Sequence, residues 1–388
     1  MSIRWRFLCV MAAAAAVWSG ALAQEGGLAG DSFGGEQDPA VLEARGLDYW
    51  SGRGVPQDAA RAAQLFERAA AADRPVAQAL LANQLQFGIG VPADPKRALE
   101  LYRAAAAHGV ASAQLFLGLS YLQEQGGRRD FAEAEKWLRA AAAQGDPGAL
   151  HFLSRMYLAG DGVGRDLDLY RALNTRAAEL GSPAALVESG VRLLYEPDHR
   201  DPSRGLHFLE KGAELGARDA QFALGFEYLL GNNVRRNLDV AARWFDQAWQ
   251  KKSVLAAFWL SHMHAHGLGR SQDSERADEL LQQALAVAGP DEKNGFAWQL
   301  ATHPDADMRD GAKAVAIMEA MLSDAKLRTP AFIDTLAAAY AENTQFGRAV
   351  DAQRQAIATI PPVSPQTAAA FRGRLELYER GQPYRESR

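Results

Sequence analysis

The sequence predicts an all-α protein, an α-solenoid of short antiparallel helix pairs, and three observations support this prediction. The same pattern recurs every 36 residues over most of the chain, with a single step of 35. Each unit carries apolar residues at helical spacing, as at Ala77, Leu81 and Leu85. A tract such as residues 88–92, Gly-Ile-Gly-Val-Pro, then forces a turn between two helices. One helix pair exposes more apolar surface than it buries, so the pairs must stack.

The register of the repeat is fixed by three independent sets of positions. A small residue lies in the middle of each second helix: Ala69, Ala105, Ala141, Ala177, Gly212, Ala248 and Ala284. Another opens each first helix: Ala77, Ala113, Ala149, Ala185, Ala220 and Ala256. A polar residue precedes each second helix as its predicted N-cap: Asp58, Asp94, Asp130, Asp166, Asp201, Asn237 and Asp273. The sets agree on seven repeats: 40–74, 75–110, 111–146, 147–182, 183–217, 218–253 and 254–289.

Close packing explains why small residues recur. Two helix axes approach closely only where a small side chain faces the partner helix. We expect the large partner three or four residues before each small residue of the second helix: Leu65, Leu101, Trp137, Leu173, Phe208, Trp244 and Leu280.

These spacings resemble the Sel1-like repeat, a relative of the tetratricopeptide repeat. The pattern stands in the sequence as Leu117-Gly118 with Tyr121, as Tyr157 with residues 160–163, and as Leu224-Gly225 with Tyr228. The resemblance implies a right-handed superhelix, that is, a right-handed α-solenoid, whose first helices line a concave groove. Residues 124–127 and 196–199 lack the paired glycines of the other turns, so the third and fifth repeats are expected to turn differently.

After residue 289 the register changes. Residues 290–362 resemble two tetratricopeptide units, with Leu336 to Tyr340 and Phe346 as their clearest marks. Residues 363–388 are read as a capping helix and tail. The helix, from Pro365 to about Arg380, is predicted to place Phe371, Leu375 and Tyr378 inward and to expose its polar face: Arg372, Arg374, Glu376 and Glu379.

Residues 1–23 have the features of a cleaved signal peptide. Arg4 and Arg6 precede an apolar stretch, residues 7–17, and Ala21-Leu22-Ala23 is a small-residue cleavage site. We therefore expect a periplasmic or secreted protein cut after Ala23, with residues 24–39 as a flexible linker. The single cysteine, Cys9, is removed with the leader, which excludes disulfides and thiol catalysis in the mature chain.

Charge and composition exclude some partners. The formal net charge is −5 and becomes −7 when Arg4 and Arg6 are removed. Acidic and basic residues alternate along the helices, as on solvated faces, so no basic groove for nucleic acid is expected. No apolar stretch after the leader is long enough to span a bilayer, and no motif indicates a cofactor.

Three patterns suggest chemistry, and each has a structural interpretation that we favour. His262, His264 and His266 have spacings that permit a shared metal, but His264 occupies the repeat's tyrosine position and no carboxylate offers an obvious third ligand. Ser323 and Lys326 have the Ser-x-x-Lys spacing of penicillin-recognising enzymes, without the companion motifs. The tryptophans, including Trp137, Trp244, Trp259 and Trp298, could stack on sugars, but most of them fall at repeat core positions. We therefore assign no catalytic or metal residues.

The sequence thus favours a non-enzymatic scaffold that binds a protein or peptide in the bacterial cell envelope, as an assembly or regulatory adaptor. Arg155, Arg192, Glu227 and His262, at variable positions beside the packed stripe, are the candidate groove residues. Two alternatives remain open. The resemblance also allows a cell-wall enzyme of penicillin-binding or β-lactamase type, and a scaffold for exported polysaccharide or surface machinery.

Overall fold

We describe a computed structural model of the chain over residues 37–123, 129–359 and 365–386. The described residues form α-helices and short 3-10 turns, without a β-strand. The predicted signal peptide and most of the linker lie outside the described residues. The chain divides into two compact units at Leu215 and Gly216, inside the predicted repeat array.

The N-terminal unit contains α1 (Pro39–Ser51), α2 (Ala59–Ala71), α3 (Pro75–Phe87), α4 (Pro95–Ala107), α5 (Ala111–Leu122), α6 (Phe131–Ala143), α7 (Pro147–Ala159), α8 (Leu167–Glu179), α9 (Pro183–Tyr195) and α10 (Pro202–Glu214). The C-terminal unit contains α11 (Arg218–Leu230), α12 (Leu238–Gln250), α13 (Val254–His266), α14 (Ser274–Val287), α15 (Pro290–Thr302), α16 (Gly311–Leu322), α17 (Pro330–Glu342), α18 (Phe346–Ala358) and α19 (Pro365–Glu379). Within each unit, consecutive helices pack against one another, except that α15 packs against α13 rather than α14. The all-α solenoid of helix pairs is therefore confirmed.

Each second helix begins where its polar cap was predicted. The side chain of Asp58 accepts from the backbone N–H of Arg61 at 2.9 Å, and the corresponding bonds occur at the six other predicted caps. Asp310 caps α16 in the same way, with the N–H of Lys313 at 2.9 Å. Such a cap contributes about 1 kcal/mol to helix stability. These local bonds fix the start of each second helix.

The paired glycines of the turns have separate physical roles. Gly88 ends α3 with φ +67°, and Gly90 follows with φ +73°. A β-carbon on Gly90 would lie 2.4 Å from the carbonyl carbon of Ala59, at the start of the preceding repeat's second helix. Gly162 and Gly269 approach Phe131 and Leu238 in the same manner. The second glycine therefore lets the turn of one repeat contact the second helix of the preceding repeat.

The predicted small positions are buried, but the large partner lies one residue later than expected in most repeats. Five of the seven predicted large residues are only half-buried: Leu65, Leu101, Trp137, Leu173 and Trp244. The following residue is fully buried instead, as at Phe66, Leu138 and Phe245. Gly46, Gly118 and Gly225 face these three side chains, since a β-carbon on each would lie within 2.8 Å of them. The glycine of Leu-Gly thus sets which side chain enters the core.

The turn between the two helices of the fifth repeat differs from the glycine turns of the other repeats, as predicted. Pro197–His199 form a 3-10 turn in place of the paired glycines. The corresponding turn of the third repeat lies outside the described residues.

The last five helices occupy the region predicted to hold two tetratricopeptide units and a cap. Phe371 and Tyr378 of α19 are buried, as predicted. The prediction that Arg374 is exposed was wrong. Its guanidinium makes two 2.9 Å bonds to the buried carboxylate of Asp334 on α17. A buried carboxylate requires such a partner, which draws Arg374 inward.

Tryptophan side chains serve mainly in packing. Trp259 is 3% exposed, and Trp137, Trp249 and Trp298 pack against the cores of their units. Among the described helices, none is both long and apolar enough to cross a membrane.

Candidate functional site in the fourth and fifth repeats

A group of buried polar side chains lies between α7, α8 and α9. Tyr170, Asn174 and Ser189 stand there at core positions that are small or apolar in the other repeats, except for Arg45 at the position of Ser189 in the first repeat. Tyr170 stands where the other second helices have Ala62, Ala98, Ala134, Gly205, Ala241 and Ala277. Asn174 stands where they have Phe66, Tyr102, Leu138, Leu209, Phe245 and Leu281. Ser189 stands where five of the other first helices have Leu81, Leu117, Leu153, Leu224 and Leu260, and the first has Arg45. All three side chains are buried.

Asn174 joins two neighbouring helices through its amide. Its Nδ2 donates to Oγ of Ser189 on α9 at 3.1 Å, and its Oδ1 lies 3.0 Å from Nδ1 of His151 on α7. Because an amide oxygen only accepts, Nδ1 of His151 carries the hydrogen in this arrangement. Burial lowers the pKa of His151 and favours the neutral imidazole. Hydrogen bonds therefore connect His151, Asn174 and Ser189 in series across the three helices.

The carboxylate of Glu188 lies next to these hydrogen-bonded side chains and adds a negative charge. Its Oε1 accepts from Nη1 of Arg155 at 2.8 Å, and its Oε2 lies 3.6 Å from Nδ1 of His151. Burial, reinforced by the Glu188 carboxylate, raises the pKa of Tyr170 to about 12. The phenol thus keeps its proton at neutral pH and stays a hydrogen-bond donor.

A second group of charges adjoins the first on α8 and α9. Nη2 of Arg192 donates to Oγ1 of Thr175 at 2.9 Å, and its Nη1 lies 3.4 Å from Glu196. Glu196 also pairs with Arg171, and hydrogen bonds from that guanidinium lower the pKa of the carboxyl. Nε of Arg192 is buried and has no protein hydrogen-bond acceptor. Arg192 is therefore oriented by its neighbours and retains one unused donor.

The cluster has an exposed edge on the first helices. Half of the Arg155 side chain is exposed, and Val191 and Tyr195 are exposed on α9, one helical turn apart. Val191 occupies the same position in its repeat as Arg155 does in the preceding one. We call this set, Arg155, Glu188, Val191, Arg192 and Tyr195, the α7–α9 face. It offers a cation and apolar surface side by side, held by buried hydrogen bonds.

Two of the four sequence-predicted groove residues, Arg155 and Arg192, belong to this face, and the other two are buried elsewhere. Glu227 on α11 is 2% exposed and accepts from Nδ2 of Asn233 at 3.0 Å. His262 on α13 is fully buried, with Nε2 2.8 Å from the carbonyl oxygen of Asp307. The expectation that these two side chains point into an open groove does not hold, because both serve contacts inside the C-terminal unit. Ligand binding by Arg155 and Arg192 stays a prediction.

The histidines of α13 face different neighbours. The rings of His262 and His266 are 4.4 Å apart, whereas His264 accepts from Nη1 of Arg270 at 2.9 Å. Burial lowers the pKa of His262 to about 4. In the described part of the chain, no three histidine, cysteine, aspartate or glutamate side chains are grouped so as to hold a metal ion.

Ser323 and Lys326 have local structural roles. Oγ of Ser323 donates to the carbonyl oxygen of Ala320 at 2.7 Å and closes the end of α16. The N–H of Lys326 donates to Asp324, which caps a short 3-10 turn. The Ser-x-x-Lys spacing therefore coincides with a helix terminus.

Sequence reasoning missed most of the cluster: His151, Tyr170, Asn174, Glu188 and Ser189. The signal was present as departures from the repeat register, since tyrosine replaces alanine, asparagine replaces an aromatic or leucine, and serine replaces leucine. Because the large core residue of this second helix was predicted at Leu173, the asparagine at the true core position, Asn174, was not noticed.

Stacked helix hairpins that repeat at a fixed period are typical of a repeat protein. A model of the Sel1 repeat matches seven stretches that cover more than half of the chain: 46–73, 75–110, 111–146, 147–182, 194–216, 218–251 and 254–286. The chain belongs to the Sel1 repeat family. The fifth match omits most of α9, the helix that carries Ser189 and much of the α7–α9 face.

Solved structures agree with this assignment. A Sel1 repeat protein from Oxalobacter formigenes is 30% identical, with 66% of this chain and 74% of that chain covered and a TM-score of 0.52. The protein c5321, a protective antigen present in uropathogenic Escherichia coli strains and displaying an SLR fold, is 24% identical, with 89% and 74% covered and a TM-score of 0.57. The second similarity shows the fold alone. Comparison with curated proteins finds no match.

Proposed function

We propose that this protein is a non-enzymatic adaptor of the bacterial cell envelope that binds a protein partner through the α7–α9 face. Sel1 and tetratricopeptide repeats generally form non-catalytic scaffolds for protein–protein interaction. The observation that carries the proposal is the concentration of Tyr170, Asn174 and Ser189 in one core interface. Positions that follow the repeat explain the fold, so specificity is sought where the repeat is broken.

The chemistry of the face defines the partner. Arg155 is half-exposed beside Glu188, and a guanidinium binds carboxylates with fixed geometry. Val191 and Tyr195 add exposed apolar surface on the adjacent helix. A tyrosine beside an arginine is typical of the residues that dominate binding energy in protein interfaces. The partner segment is therefore expected to present an apolar side chain next to a carboxylate.

Photocrosslinking in living cells tests this proposal. A photoreactive phenylalanine analogue is placed at Val191, and at Val287 as the control, because Val287 is exposed at the end of α14 in the other unit. We expect a defined adduct from position 191 and none from position 287. Mass spectrometry identifies the partner. An identical adduct pattern at the two positions would contradict the proposal.

The affinity for the purified partner then tests whether the positive charge of Arg155 contributes to binding. Arg155→Glu is expected to weaken binding at least about tenfold, the effect of losing roughly 1.4 kcal/mol. Arg97→Glu is the matched control, since Arg97 is an exposed arginine that pairs with Glu67 on the second helices of the same unit. Equal affinities of both variants and the unaltered protein would remove Arg155 from the site.

Envelope location and the absence of catalysis have their own tests. Intact mass of the protein from the periplasm or medium should correspond to a chain that begins at Gln24. Retention of the leader and recovery from the cytoplasm would contradict the location. Turnover of a chromogenic β-lactam that is lost in Ser323→Ala would favour the enzymatic alternative.

A further inference from the structure

The C-terminal segment Pro383–Glu386 has no regular secondary structure and lies on its own unit. Gly381, with φ +68°, ends α19, and the N–H of Gln382 donates to the carbonyl oxygen of Leu377 at 2.9 Å. The chain then leaves the helix and reaches α15, where the N–H of Glu386 donates to the carbonyl oxygen of Thr302 at 3.0 Å. A short peptide thus occupies a surface made by α15, α17 and α19.

The aromatic side chain of the segment rests on a prepared surface. The ring of Tyr384 is 5.9 Å from that of Trp298 on α15, and the guanidinium of Arg374 lies 5.3 Å from its centre. Arg374 also lies 5.4 Å from the Trp298 ring, and Asp334 holds it in place. A fixed cation and an indole together form a binding site for an aromatic ring.

The two following side chains meet groups of complementary chemistry. Arg385 forms an ion pair with Glu342 on α17, a carboxylate that is also paired with Arg309. Glu386 accepts from Nε1 of Trp298 at 2.7 Å and lies 3.4 Å from Nε2 of Gln299. The surface therefore recognises an aromatic, a basic and an acidic residue in that order.

The segment is held on the other helices mainly by its side chains. All four of its residues are partly exposed, and Pro383 has no N–H to donate. Among the described residues, the main-chain hydrogen bond that joins this segment to another helix is that of Glu386 to α15. The ion pair of Arg385 with Glu342 is only partly exposed. The covalent tether adds to these contacts an effective concentration of the order of millimolar.

The geometry points to a peptide-binding site that the protein's own C-terminal segment fills. A partner segment with an aromatic, a basic and an acidic residue in succession binds the same surface, and the protein's own segment competes with it. This site is on the C-terminal unit, so it is independent of the α7–α9 face.

A peptide-binding measurement tests the inference. The probe is a fluorescein-labelled synthetic peptide with the sequence of residues 381–388. The binding protein is the chain shortened after Gln382, which keeps the helix-ending bonds of Gly381 and Gln382. We expect fluorescence anisotropy to show saturable binding to the shortened chain and binding at least roughly tenfold weaker to the full chain.

Substituted peptides test the chemistry. Peptides with Tyr384→Ala or Glu386→Ala should lose most of the affinity, and Arg385→Glu should lose it through repulsion from Glu342. A second protein, the full-length variant Tyr384→Ala/Glu386→Ala, keeps the chain length and should also bind the unaltered peptide. If both proteins have native circular dichroism and neither binds, the segment is a fixed part of the fold and the inference is wrong. Equal binding of all peptides would also overturn it.

Discussion

Nδ2 of Asn174 donates to Oγ of Ser189 at 3.1 Å in the core of the repeats. The residues at the same two positions of the other repeats are aromatic or leucine, except for Arg45 in the first repeat. The hydrophobic core divides at this point, with Leu138 and Leu153 in one cluster and Leu186 and Phe208 in the next. A satisfied buried hydrogen bond contributes only about 1 kcal/mol, less than a leucine pair buried at the same place. The polar pair is therefore better explained by the geometry it imposes on the α7–α9 face than by stability.

The triple variant Tyr170→Ala/Asn174→Leu/Ser189→Leu restores the pattern of the other repeats. We expect its free energy of unfolding to change by no more than about 2 kcal/mol, because leucines replace the Asn174–Ser189 pair together while His151 loses one hydrogen bond. Urea unfolding followed by circular dichroism measures this change. Binding of the partner identified by crosslinking should be lost, since His151 and Glu188 lose their neighbours.

The reciprocal change in the preceding repeat is the control. Leu138→Asn/Leu153→Ser places the polar pair where no histidine equivalent to His151 is present, because Leu115 stands there. This variant should lose about 2–5 kcal/mol. A triple variant that is strongly destabilised, or that binds the partner normally, would contradict the role assigned to the cluster.

The repeat architecture could be predicted because its determinants are local and repeated. Asp58 and its equivalents cap helices through a neighbouring N–H, and the alanines at Ala77 and Ala113 recur at fixed steps. The error of one residue between Leu65 and Phe66 has a physical origin. Adjacent residues of a helix both lie near the apolar face, and only the position of Gly46 on the partner helix selects between them.

The placement of polar side chains was harder to predict because it depends on residues distant in sequence. Arg374 looked exposed from its own helix, but Asp334 on another helix draws it inward. His262 and Arg155 occupy equivalent repeat positions, yet one is buried against Asp307 and the other is half-exposed beside Glu188. Helix periodicity cannot separate two such environments.

The turn glycines provide a matched pair for a stability measurement. Gly54 and Gly90 have nearly the same φ, +74° and +73°. A β-carbon at Gly54 would meet no atom within 4 Å, whereas one at Gly90 would lie 2.4 Å from the Ala59 backbone. Gly54→Ala should therefore cost only the left-handed strain, about 1 kcal/mol.

Gly90→Ala should cost at least about 2 kcal/mol more, because the helix pair must separate to admit the methyl group. Urea unfolding of both variants, with circular dichroism at 222 nm, gives the difference directly. Similar losses in the two variants would show that conformation alone, without close approach between repeats, explains the glycine.

The buried imidazole of His262 makes stability depend on pH. Its pKa falls from about 6.5 to about 4, chiefly through burial, although the Asp307 carbonyl and Asp310 favour the charged form and His266 and Lys313 oppose it. Between these values the unfolded chain binds a proton and the folded chain does not. Stability from this group is complete above pH 6.5 and falls as the pH decreases toward 4, by about 3 kcal/mol in total.

His262→Gln removes this titration and keeps a donor for the Asp307 carbonyl. Its free energy of unfolding should fall less than that of the original protein between pH 7.5 and 4.5, although other histidines with lowered pKa, such as His303, still contribute in both proteins. Comparing each protein with itself across this range cancels any constant effect of the substitution. Parallel curves for the two proteins, or a His262 ring that titrates near pH 6.5 by NMR, would show that the imidazole is accessible to protons. The His262 ring on α13 is fully buried and contacts the turn before α16 through the Asp307 carbonyl oxygen. The pH dependence therefore reports how well the packing of α13 against this turn keeps the imidazole away from water.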